Sequence, residues 1–386
     1  MIRTKGGHLL LVGVTTRALA ISAARAGYRV SAIDAFGDMD LRAVADVIGS
    51  DRVGVRQFDP SLAAELGASV EADFVAYTSN LENHPDAVSR LGRSGRLLGN
   101  PPEVLRRVRN PVELTRALGR AGFEVPRARV SAPARDQRGA RWLLKSRRSG
   151  GGHGVSLWRS GSRIPRSHYL QERIPGIPGS IVFAADGQDA VALGLSRQLV
   201  ARPAFGAGRF RYCGNLLAGG GRPLFPRQQQ LEEVAVRLMK FVAREFRLVG
   251  LNGIDFIARR GVPYPIEVNP RYSASMELVE EAHGISLFQL HADACGGCLP
   301  QPLPKPAAVH GKAVVFARHD LRVGATRGWL SQPEYADIPH PGEAIASGRP
   351  ICTVRSAAPE ADVCLRLLEA RAARVYRTTK PLRRAA

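Results

Sequence analysis

The sequence LNGIDFIARRGVPYPIEVNPR occupies residues 251–271 and decides the fold of the chain. It holds two apolar runs on either side of a short segment that contains Gly261. Two such runs joined through a glycine-containing turn are typical of neighbouring antiparallel strands. We therefore predict a strand pair that brings Asp255 of the first strand close to Glu267 of the second.

The same strand pair carries a third oxygen-bearing side chain. Asn269 lies two residues after Glu267, and because strand side chains alternate, both are expected on one face. Two carboxylates and an amide oxygen, from Asp255, Glu267 and Asn269, form a hard-oxygen site suited to Mg²⁺, which keeps water and phosphate oxygens as its other ligands. The alternative is a set of ordinary polar residues at a strand end.

A second chemical feature lies upstream, in LLKSRRSGGGHGVSLW at residues 143–158. Two apolar runs flank a glycine cluster, which predicts a hairpin. Lys145 ends the first run, and the cluster consists of Gly150, Gly151, Gly152, His153 and Gly154. Glycines let backbone N–H groups close over phosphates, and a lysine adds a positive charge. A flexible hairpin would use the same residues, so the cluster alone leaves both interpretations open.

Composition and charge restrict the class of protein. The 386 residues include 55 Lys and Arg against 34 Asp and Glu, a formal net charge of +21. This excess favours anionic partners, although an arginine-rich proteome would produce it too. Aromatic residues make up only 6%, and no stacking platform stands out, which disfavours nucleic acid as a partner. No stretch has the length of a membrane span. The five cysteines, sparse and odd in number, predict a reducing, cytoplasmic compartment.

Strands and helices alternate from His8 to about Pro101, which predicts an α/β fold with a Rossmann-like parallel sheet. The glycine fingerprint of dinucleotide sites does not follow the first strand, so no dinucleotide is expected. The segment DMDLRAVADVIG at 38–49 is predicted to be a helix, as is the longer segment 228–246.

The order of these features resembles the ATP-grasp superfamily over roughly residues 100–298. The resemblance rests on the lysine and glycine loop, then QERIPG at 171–176, then the Asp255 strand, then EVNPR at 267–271. It implies a Rossmann-like domain followed by a two-lobed ATP-grasp domain and a small β-rich extension. The expected boundaries are 1–99 for the Rossmann-like domain, 100–169 for the small lobe, 170–300 for the large lobe, and 307–386 for the extension.

The resemblance also assigns roles. Lys145 and the glycine loop would cover the ATP phosphates, and the backbone near Glu172 and Arg173 would hold adenine. The three oxygen ligands would bind Mg²⁺, with Mn²⁺ as the alternative metal. Arg271 would stabilise an acyl phosphate or hold a substrate carboxylate, so that Lys145 and Arg271 are the expected catalytic residues.

The implied activity is that of an ATP-dependent carboxylate–amine ligase, in which an amine displaces phosphate from an acyl phosphate. We expect an acidic carboxylate and an amine as substrates, with ligation of a glutamate-like amino acid onto a small molecule or cofactor. Arg197, Arg209 and Arg211 are expected to bind a second carboxylate or phosphate in the cleft, and a solvated loop is the alternative. The layout is also similar to an ATP-grasp branch found near one-carbon cofactor biosynthesis. A homodimer is expected.

Two positions depart from the family pattern. Members usually carry another phosphate-binding lysine where this chain has Pro111, and Arg107, Arg109 or Arg116 would have to substitute for it. Biotin carboxylases place a catalytic glutamate four residues after the site arginine, where this chain has Ser275. The alternatives to a ligase are therefore a carboxylase-like enzyme, a basic nucleic-acid-binding protein, and an ATP-grasp fold that has lost catalysis.

Cys295 and Cys298 have the C-x-x-C spacing of zinc ligands, and His283 and His291 are close in sequence. Because no second C-x-x-C pair accompanies them, a helix end with small residues is the favoured interpretation.

Overall fold

A computed structural model describes residues 6–53, 58–133 and 141–382 of the chain. These residues form an α/β protein with four sheets, of five, four, eight and three strands. The α/β class predicted from the alternation of strands and helices is confirmed.

The N-terminal layer is a parallel sheet in the order β3-β2-β1-β4-β5. Its strands are β1 (His8–Gly13), β2 (Arg29–Asp34), β3 (Asp46–Val47), β4 (Phe74–Tyr77) and β5 (Arg96–Leu97). Its helices are α1 (Arg17–Arg25), α2 (Met39–Arg42), α3 (Ser50–Val53), α4 (Pro60–Ala68) and α5 (Pro85–Leu91). The helix predicted over 38–49 was wrong beyond Arg42, because Asp46 and Val47 pair with β2 at the sheet edge.

Two helices lead into the second sheet, α6 (Pro102–Val108) and α7 (Pro111–Arg120). That sheet has the order β6-β9-β7-β8, with β6 (Ala128–Arg129), β7 (Trp142–Ser146), β8 (Ser156–Leu157) and β9 (His168–Glu172). Strands β7 and β8 are antiparallel neighbours, and Leu143 pairs with Leu157. The hairpin predicted around the glycine cluster is therefore confirmed.

The third sheet has eight strands in the order β14-β13-β10-β11-β12-β15-β19-β17. Five of them precede residue 270: β10 (Ile177–Asp186), β11 (Ala190–Val200), β12 (Tyr212–Leu217), β13 (Val249–Arg259) and β14 (Val262–Asn269). The other three come from the C-terminal part: β15 (Val309–Phe316), β17 (Tyr335–Ala336) and β19 (Pro350–Ala358). The C-terminal strands thus continue the sheet that carries the acidic residues.

The remaining elements cover the large sheet or complete the C-terminal part. The helices are α8 (Gln228–Phe246), α9 (Met276–His283), α10 (Leu287–Cys295) and α11 (Ala361–Arg377). A small antiparallel sheet holds β16 (Leu321–Val323), β18 (Ala344–Ile345) and β20 (Thr379–Pro381). Helix α8 buries its apolar stripe, which includes Leu231, Ala235, Leu238 and Val242, in the largest core cluster. Its predicted bounds are confirmed.

Asn100 joins the N-terminal layer to the large sheet. Its side chain is fully buried. Its Oδ1 accepts from the Val249 N–H (2.9 Å), and its Nδ2 donates to Asn252 Oδ1 (2.9 Å) and to the Pro270 carbonyl (3.1 Å). This single amide therefore fixes the start of β13 and the turn that follows β14, which lie together at the open end of the acidic strand pair.

A buried charge network joins the N-terminal layer to the C-terminal strands. Arg17 pairs with Glu277 of α9 and with Asp337 (2.9 Å), and Lys312 of β15 also pairs with Glu277. Burial alone would raise the pKa of Glu277, but Arg17 and Lys312 outweigh burial and hold it well below its usual value. Ion pairs therefore connect the N-terminal layer, α9 and the C-terminal strands.

The Cys295–Cys298 segment lies at the C-terminal end of α10. His291 is hydrogen-bonded through both ring nitrogens, since Nδ1 accepts from the Leu251 N–H (2.9 Å) and Nε2 lies 3.1 Å from the Leu98 carbonyl. Within the described ranges, no group of three or more His, Cys, Asp or Glu is placed to hold a metal ion. Cys295 is the last residue of α10, and Cys298 lies three residues beyond it.

No helix among residues 6–53, 58–133 and 141–382 has both the length and the apolar character required to cross a membrane.

Candidate active site

A row of polar side chains crosses one face of the large sheet. Strand pairing places Asp255 directly opposite Glu267 on one side and Ser180 on the other, and Ser180 opposite Ser196. Further pairs continue the row to the C-terminal strands. Its members, from β14 to β19, are Glu267, Asp255, Ser180, Ser196, Asn215, Lys312 and Arg355. The predicted acidic strand pair therefore forms one end of this polar row.

The two carboxylates at this end have opposite pKa shifts. Burial, together with the Glu267 carboxylate beside it, raises the pKa of Asp255 to about 6. Burial would also raise the pKa of Glu267, but the positive charges of Arg109 and Lys145 outweigh burial and lower it. The pair thus places a strongly ionised carboxylate next to one that ionises less readily, as expected for like charges held close together.

Arg109, which follows α6, is the cation bound to Glu267. Its Nη1 donates to Glu267 Oε1 (2.7 Å) and to the Val268 carbonyl (2.8 Å). Its Nε and Nη2 both donate to Asn83 Oδ1, at 3.0 and 2.8 Å. Only 11% of the Arg109 side chain is exposed, so this fork of hydrogen bonds is held away from solvent.

Lys145 approaches the carboxylates from β7 of the four-stranded sheet. Its Nζ donates to Gln171 Oε1 (3.0 Å), and Gln171 Nε2 donates to the Ile266 carbonyl of β14 (3.2 Å). Burial opposes ionisation of the ammonium, but Tyr169 and Glu267 beside it outweigh burial and raise the pKa of Lys145. These two hydrogen bonds connect the four-stranded sheet to β14, the second of the acidic strands.

Asn269 and Arg271 extend the site toward the N-terminal layer. Asn269 Nδ2 donates to Asp255 Oδ2 (3.1 Å), and its Oδ1 accepts from Arg271 Nη2 (3.2 Å). Arg271 Nη2 also donates to Glu82 Oε1 (2.7 Å). Arg271 is therefore held between the predicted metal ligands and a buried carboxylate of the N-terminal layer.

The glycine loop lies against the segment that precedes β12. The Tyr212 N–H donates to the Gly151 carbonyl (3.1 Å). Gly152 has a φ of +78°, and a Cβ added there would lie 1.9 Å from the Phe210 carbonyl oxygen. Only glycine allows this close approach of two backbone segments. His153 Nε2 lies 3.3 Å from an Arg211 guanidinium nitrogen.

Comparison with known proteins identifies this arrangement. The sequence of residues 108–275 matches the family of ATP-grasp domains. The chain contains an ATP-grasp domain. The matched range includes Lys145, the glycine loop, the acidic strands and Arg271, and the predicted superfamily is confirmed.

Proteins that match this chain over most of its length do so at low sequence identity. An uncharacterised protein of Methanocaldococcus jannaschii is 22% identical over 373 residues, covering 90% of this chain and 88% of that protein. The biotin carboxylase domain of the Hydrogenobacter thermophilus 2-oxoglutarate carboxylase superposes with a TM-score of 0.72 at 15% identity, covering 97% of this chain and 91% of that domain. An L-amino acid ligase from Bacillus licheniformis superposes with a TM-score of 0.66 at 13% identity, covering 100% of both chains.

The donor set of the ATP-grasp domain fits Mg²⁺. Asp255 and Glu267 supply carboxylate oxygens, which are hard ligands of the type that Mg²⁺ prefers. Asn269 lies beside them, with its amide nitrogen on Asp255 and its amide oxygen on Arg271. Glu267 Oε1 is engaged by Arg109, whereas Glu267 Oε2 accepts no hydrogen bond from any described residue. A divalent cation would also relieve the repulsion that contributes to the raised pKa of Asp255.

The predicted adenine segment lies at the end of β9. The Glu172 N–H donates to the Arg127 carbonyl (2.9 Å), and the Arg173 N–H donates to the Arg141 carbonyl (2.7 Å). The Glu172 carboxylate pairs with Arg127, which lowers the pKa of Glu172. Both backbone N–H groups are therefore engaged within the ATP-grasp domain, and adenine recognition at this segment stays a prediction.

The three arginines expected to bind substrate are not brought together. Arg197 follows Ser196 on β11, so strand alternation places it on the face opposite the polar row. Arg209 is exposed and lies over the Phe210 ring at 5.1 Å. Arg211 stacks on Phe316 at 4.1 Å and contacts His153 of the loop. Of the three, only Arg211 touches the glycine loop.

The structure shows the surroundings of Pro111 and Ser275, the two positions that depart from the family pattern. Pro111 occupies the first turn of α7, and Arg109, two residues earlier, is the basic residue that reaches the acidic strands. Arg107 instead pairs with Glu113 at 3.0 Å in a partly exposed position. Ser275 is buried beside Ser273, with 3.4 Å between their hydroxyl oxygens.

Sequence reasoning missed Glu82, Asn83 and Gln171. All three are nearly buried polar residues, with exposed fractions of 1%, 6% and 4%. Glu82 and Asn83 form a short 3₁₀ turn after β4, in the N-terminal layer. The available signal was an acid and an amide at the carboxyl end of a parallel strand, where ligands of open α/β sheets bind.

Proposed function

We propose that this protein is an ATP-dependent ligase that joins a carboxylate to an amine through an acyl phosphate. The observation that carries the proposal is the pairing of Asp255 with Glu267 across β13 and β14, directly beside Lys145 and Arg271. The predicted metal ligands lie beside the lysine, and the glycine loop lies against the segment that leads into β12 of the same sheet. The ligase fold among the structural relatives supports the same conclusion.

Each residue of the site has a role in this proposal. Lys145 and the N–H groups of residues 150–154 would hold the ATP phosphates. Arg109 would supply the positive charge that other family members provide with a lysine at the position of Pro111. Asp255, Glu267 and Asn269 would hold Mg²⁺, with Mn²⁺ as the alternative. When bound, the metal neutralises phosphate charge during phosphoryl transfer.

The reaction has two balanced steps. A carboxylate oxygen of the first substrate attacks the γ-phosphorus of ATP, the bond to the β-phosphate oxygen breaks, and ADP leaves. The amine nitrogen of the second substrate then attacks the acyl carbon, and the carbon–oxygen bond to phosphate breaks with loss of a proton. Arg271, held by Glu82 and Asn269, would stabilise the acyl phosphate, and the glycine loop would exclude water from it.

Position 275, where biotin carboxylases have a catalytic glutamate, does not support the carboxylase alternative. Ser273 and Ser275 carry only hydroxyl groups, and the nearest acids of α9, Glu277 and Glu280, are engaged. Glu277 pairs with Arg17 and Lys312, and Glu280 accepts from Tyr272 and from the Leu287 N–H. An amine acceptor thus fits the site better than a bicarbonate that needs a free catalytic carboxylate.

The wider expectations remain part of this proposal. We propose a cytoplasmic enzyme of cofactor biosynthesis, with an acidic carboxylate substrate and with the homodimer as its assembly. The described helices provide no membrane span. The biotin carboxylase relative was solved as a domain dimer, which motivates a measurement of the solution mass of this protein.

The test combines nucleotide binding with a search for substrates. Calorimetry should show binding of MgATP to the purified protein, and a coupled assay should show ADP release that requires both a carboxylate and an amine. Glu267→Gln should lower turnover by at least a hundredfold. Glu233→Gln, on the exposed face of α8, is the matched control and should behave as the wild type. Failure to bind MgATP, or ADP release that depends on bicarbonate alone, would contradict the proposal.

A further inference from the structure

A cavity of about 220 Å³ lies between the N-terminal layer, the helices α6 and α7, and residues 147–148, which follow β7. Its lining includes Glu82, Asn83, Arg106, Arg109, Arg147 and Arg148. Pockets for drug-sized ligands measure about 300–1,000 Å³, so this cavity suits a smaller molecule than a nucleotide. It is therefore a candidate for the second substrate of the proposed ligase, next to the phosphates that Arg109 would bind.

The cationic lining divides into engaged and free groups. Arg109 is bound to Glu267, and Arg106 pairs with Asp86 at 2.7 Å. Arg147 and Arg148 form no ion pair with any residue in the described part of the chain. Arg147 Nε donates to the His168 carbonyl (3.4 Å), and Arg148 is exposed. Two guanidinium groups are thus available to bind anionic groups, and a guanidinium matches a carboxylate in geometry as well as charge.

The inner wall of the cavity carries a carboxylate, from Glu82, and an amide, from Asn83. Glu82 is 1% exposed, and its Oε2 is buried without a hydrogen-bond partner among the described residues. Asn83 is 6% exposed, and its Nδ2 is likewise without a partner there. Buried polar atoms normally find partners, so an unpaired acceptor and an unpaired donor in one wall point to a ligand that supplies both.

We infer that this cavity binds an α-amino acid that carries a second carboxylate, as the amine substrate of the ligase; the inference rests on the proposed function. The ammonium group contacts Glu82 Oε2, and the carboxylates contact Arg147 and Arg148. Asn83 Nδ2 donates to a remaining carboxylate oxygen. Each free group of the lining then has a partner of complementary charge.

The position of Glu82 connects this ligand to the chemistry. Glu82 Oε1 accepts from Arg271 (2.7 Å), the residue proposed to stabilise the acyl phosphate. An ammonium group on the other carboxylate oxygen therefore lies next to the acyl phosphate site. Arg109, which also lines the cavity, binds the metal ligand Glu267. The ammonium group must lose a proton before it attacks, and the Glu82 carboxylate that contacts it is the group placed to accept that proton. The neutral amine is then held beside the carbon that it attacks, which orients the two reactants.

The experiment measures binding to the full-length protein saturated with Mg²⁺ and a non-hydrolysable ATP analogue. The probes are L-glutamate, L-aspartate, L-alanine and glutarate. L-Alanine lacks the second carboxylate, and glutarate lacks the ammonium group. L-Glutamate or L-aspartate should bind at least tenfold more tightly than L-alanine and glutarate.

Variants separate the two ends of the ligand. Arg147→Gln combined with Arg148→Gln should weaken binding of the acidic amino acid at least tenfold and leave the affinity for the nucleotide analogue unchanged. Arg93→Gln, an exposed arginine of the N-terminal layer, is the matched control and should bind both as the wild type does. Glu82→Gln should weaken L-glutamate much more than glutarate.

The outcomes distinguish the two proposals. If the protein does not bind the nucleotide analogue, the ligase proposal itself fails. If it binds the nucleotide but does not prefer acidic amino acids, only the amino acid site is refuted. If the double arginine variant loses nucleotide affinity instead, these arginines contact phosphates and the inference is overturned.

Discussion

The glycine loop offers the sharpest test of how the ATP-grasp domain closes on its nucleotide. We predict that Gly152→Ala weakens MgATP binding, because residue 152 has a φ of +78° and its Cβ would lie 1.9 Å from the Phe210 carbonyl oxygen. A left-handed backbone conformation costs a non-glycine residue about 1–2 kcal/mol. The clash with backbone adds to this cost, since a carbonyl cannot rotate away as a side chain end can.

The expected magnitude follows from these two terms. A closed loop destabilised by about 2 kcal/mol corresponds to a roughly thirtyfold loss of affinity, since each 1.4 kcal/mol is tenfold. The full loss appears only if nucleotide binding requires the closed loop. Calorimetric titration with MgATP measures it, and thermal unfolding of the free protein shows whether the fold is retained.

Gly150→Ala is the matched control. Its Cβ would have no atom within 4 Å, and its backbone lies outside the left-handed region. This variant should bind MgATP within about twofold of the wild type, as expected for an unstrained surface change. Equal affinities for both variants, or no loss with Gly152→Ala, would refute the role of the contact between the loop and Phe210.

Two further predictions concern stability. Burial lowers the pKa of His291 to about 4. Because the unfolded state takes up a proton near pH 6.5, the free energy of unfolding should fall by about 3 kcal/mol as the pH drops from 7 to 4, at about 1.4 kcal/mol per pKa unit. His291→Gln should lack this component in urea titrations, and an unchanged pH slope would count against it. Asn100→Ala should lower the free energy of unfolding by about 2–4 kcal/mol, because it leaves several buried backbone groups unpaired. Asn110→Ala removes an exposed helix cap and should lower it by about 1 kcal/mol. Similar melting temperatures for the two variants would argue against this ranking.

The parts of the site that could be predicted are local in sequence. Asp255, Glu267 and Asn269 lie on consecutive strands, so alternation and a short turn suffice to place them on one face. The hairpin that carries the glycine loop follows from two short apolar runs. In each case the partners are close along the chain, and few competing arrangements exist.

The parts that could not be predicted depend on contacts between distant segments. Arg109 reaches Glu267 across 158 positions, and Arg271 reaches Glu82 across 189. No periodicity encodes such contacts. The residues 38–49 have a helical pattern, yet pairing at the edge of the N-terminal sheet makes Asp46 and Val47 a strand, since tertiary contacts override propensity. The side of β11 that Arg197 occupies, by contrast, could have been derived by alternation from its serine neighbour.

The continuous eight-stranded sheet has a consequence for how the chain folds during synthesis. Strand β12 pairs with β11 on one side, but its other neighbour is available only when β15 has been made, because Gly214 pairs with Ala313. Until then β12 presents an unpaired edge, and such edges promote association between chains. Pairing over so long a separation is also intrinsically slow. A nascent chain that ends before β15 therefore already contains the acidic strands. The exposed edge of their sheet is covered only by the last quarter of the chain or by a chaperone.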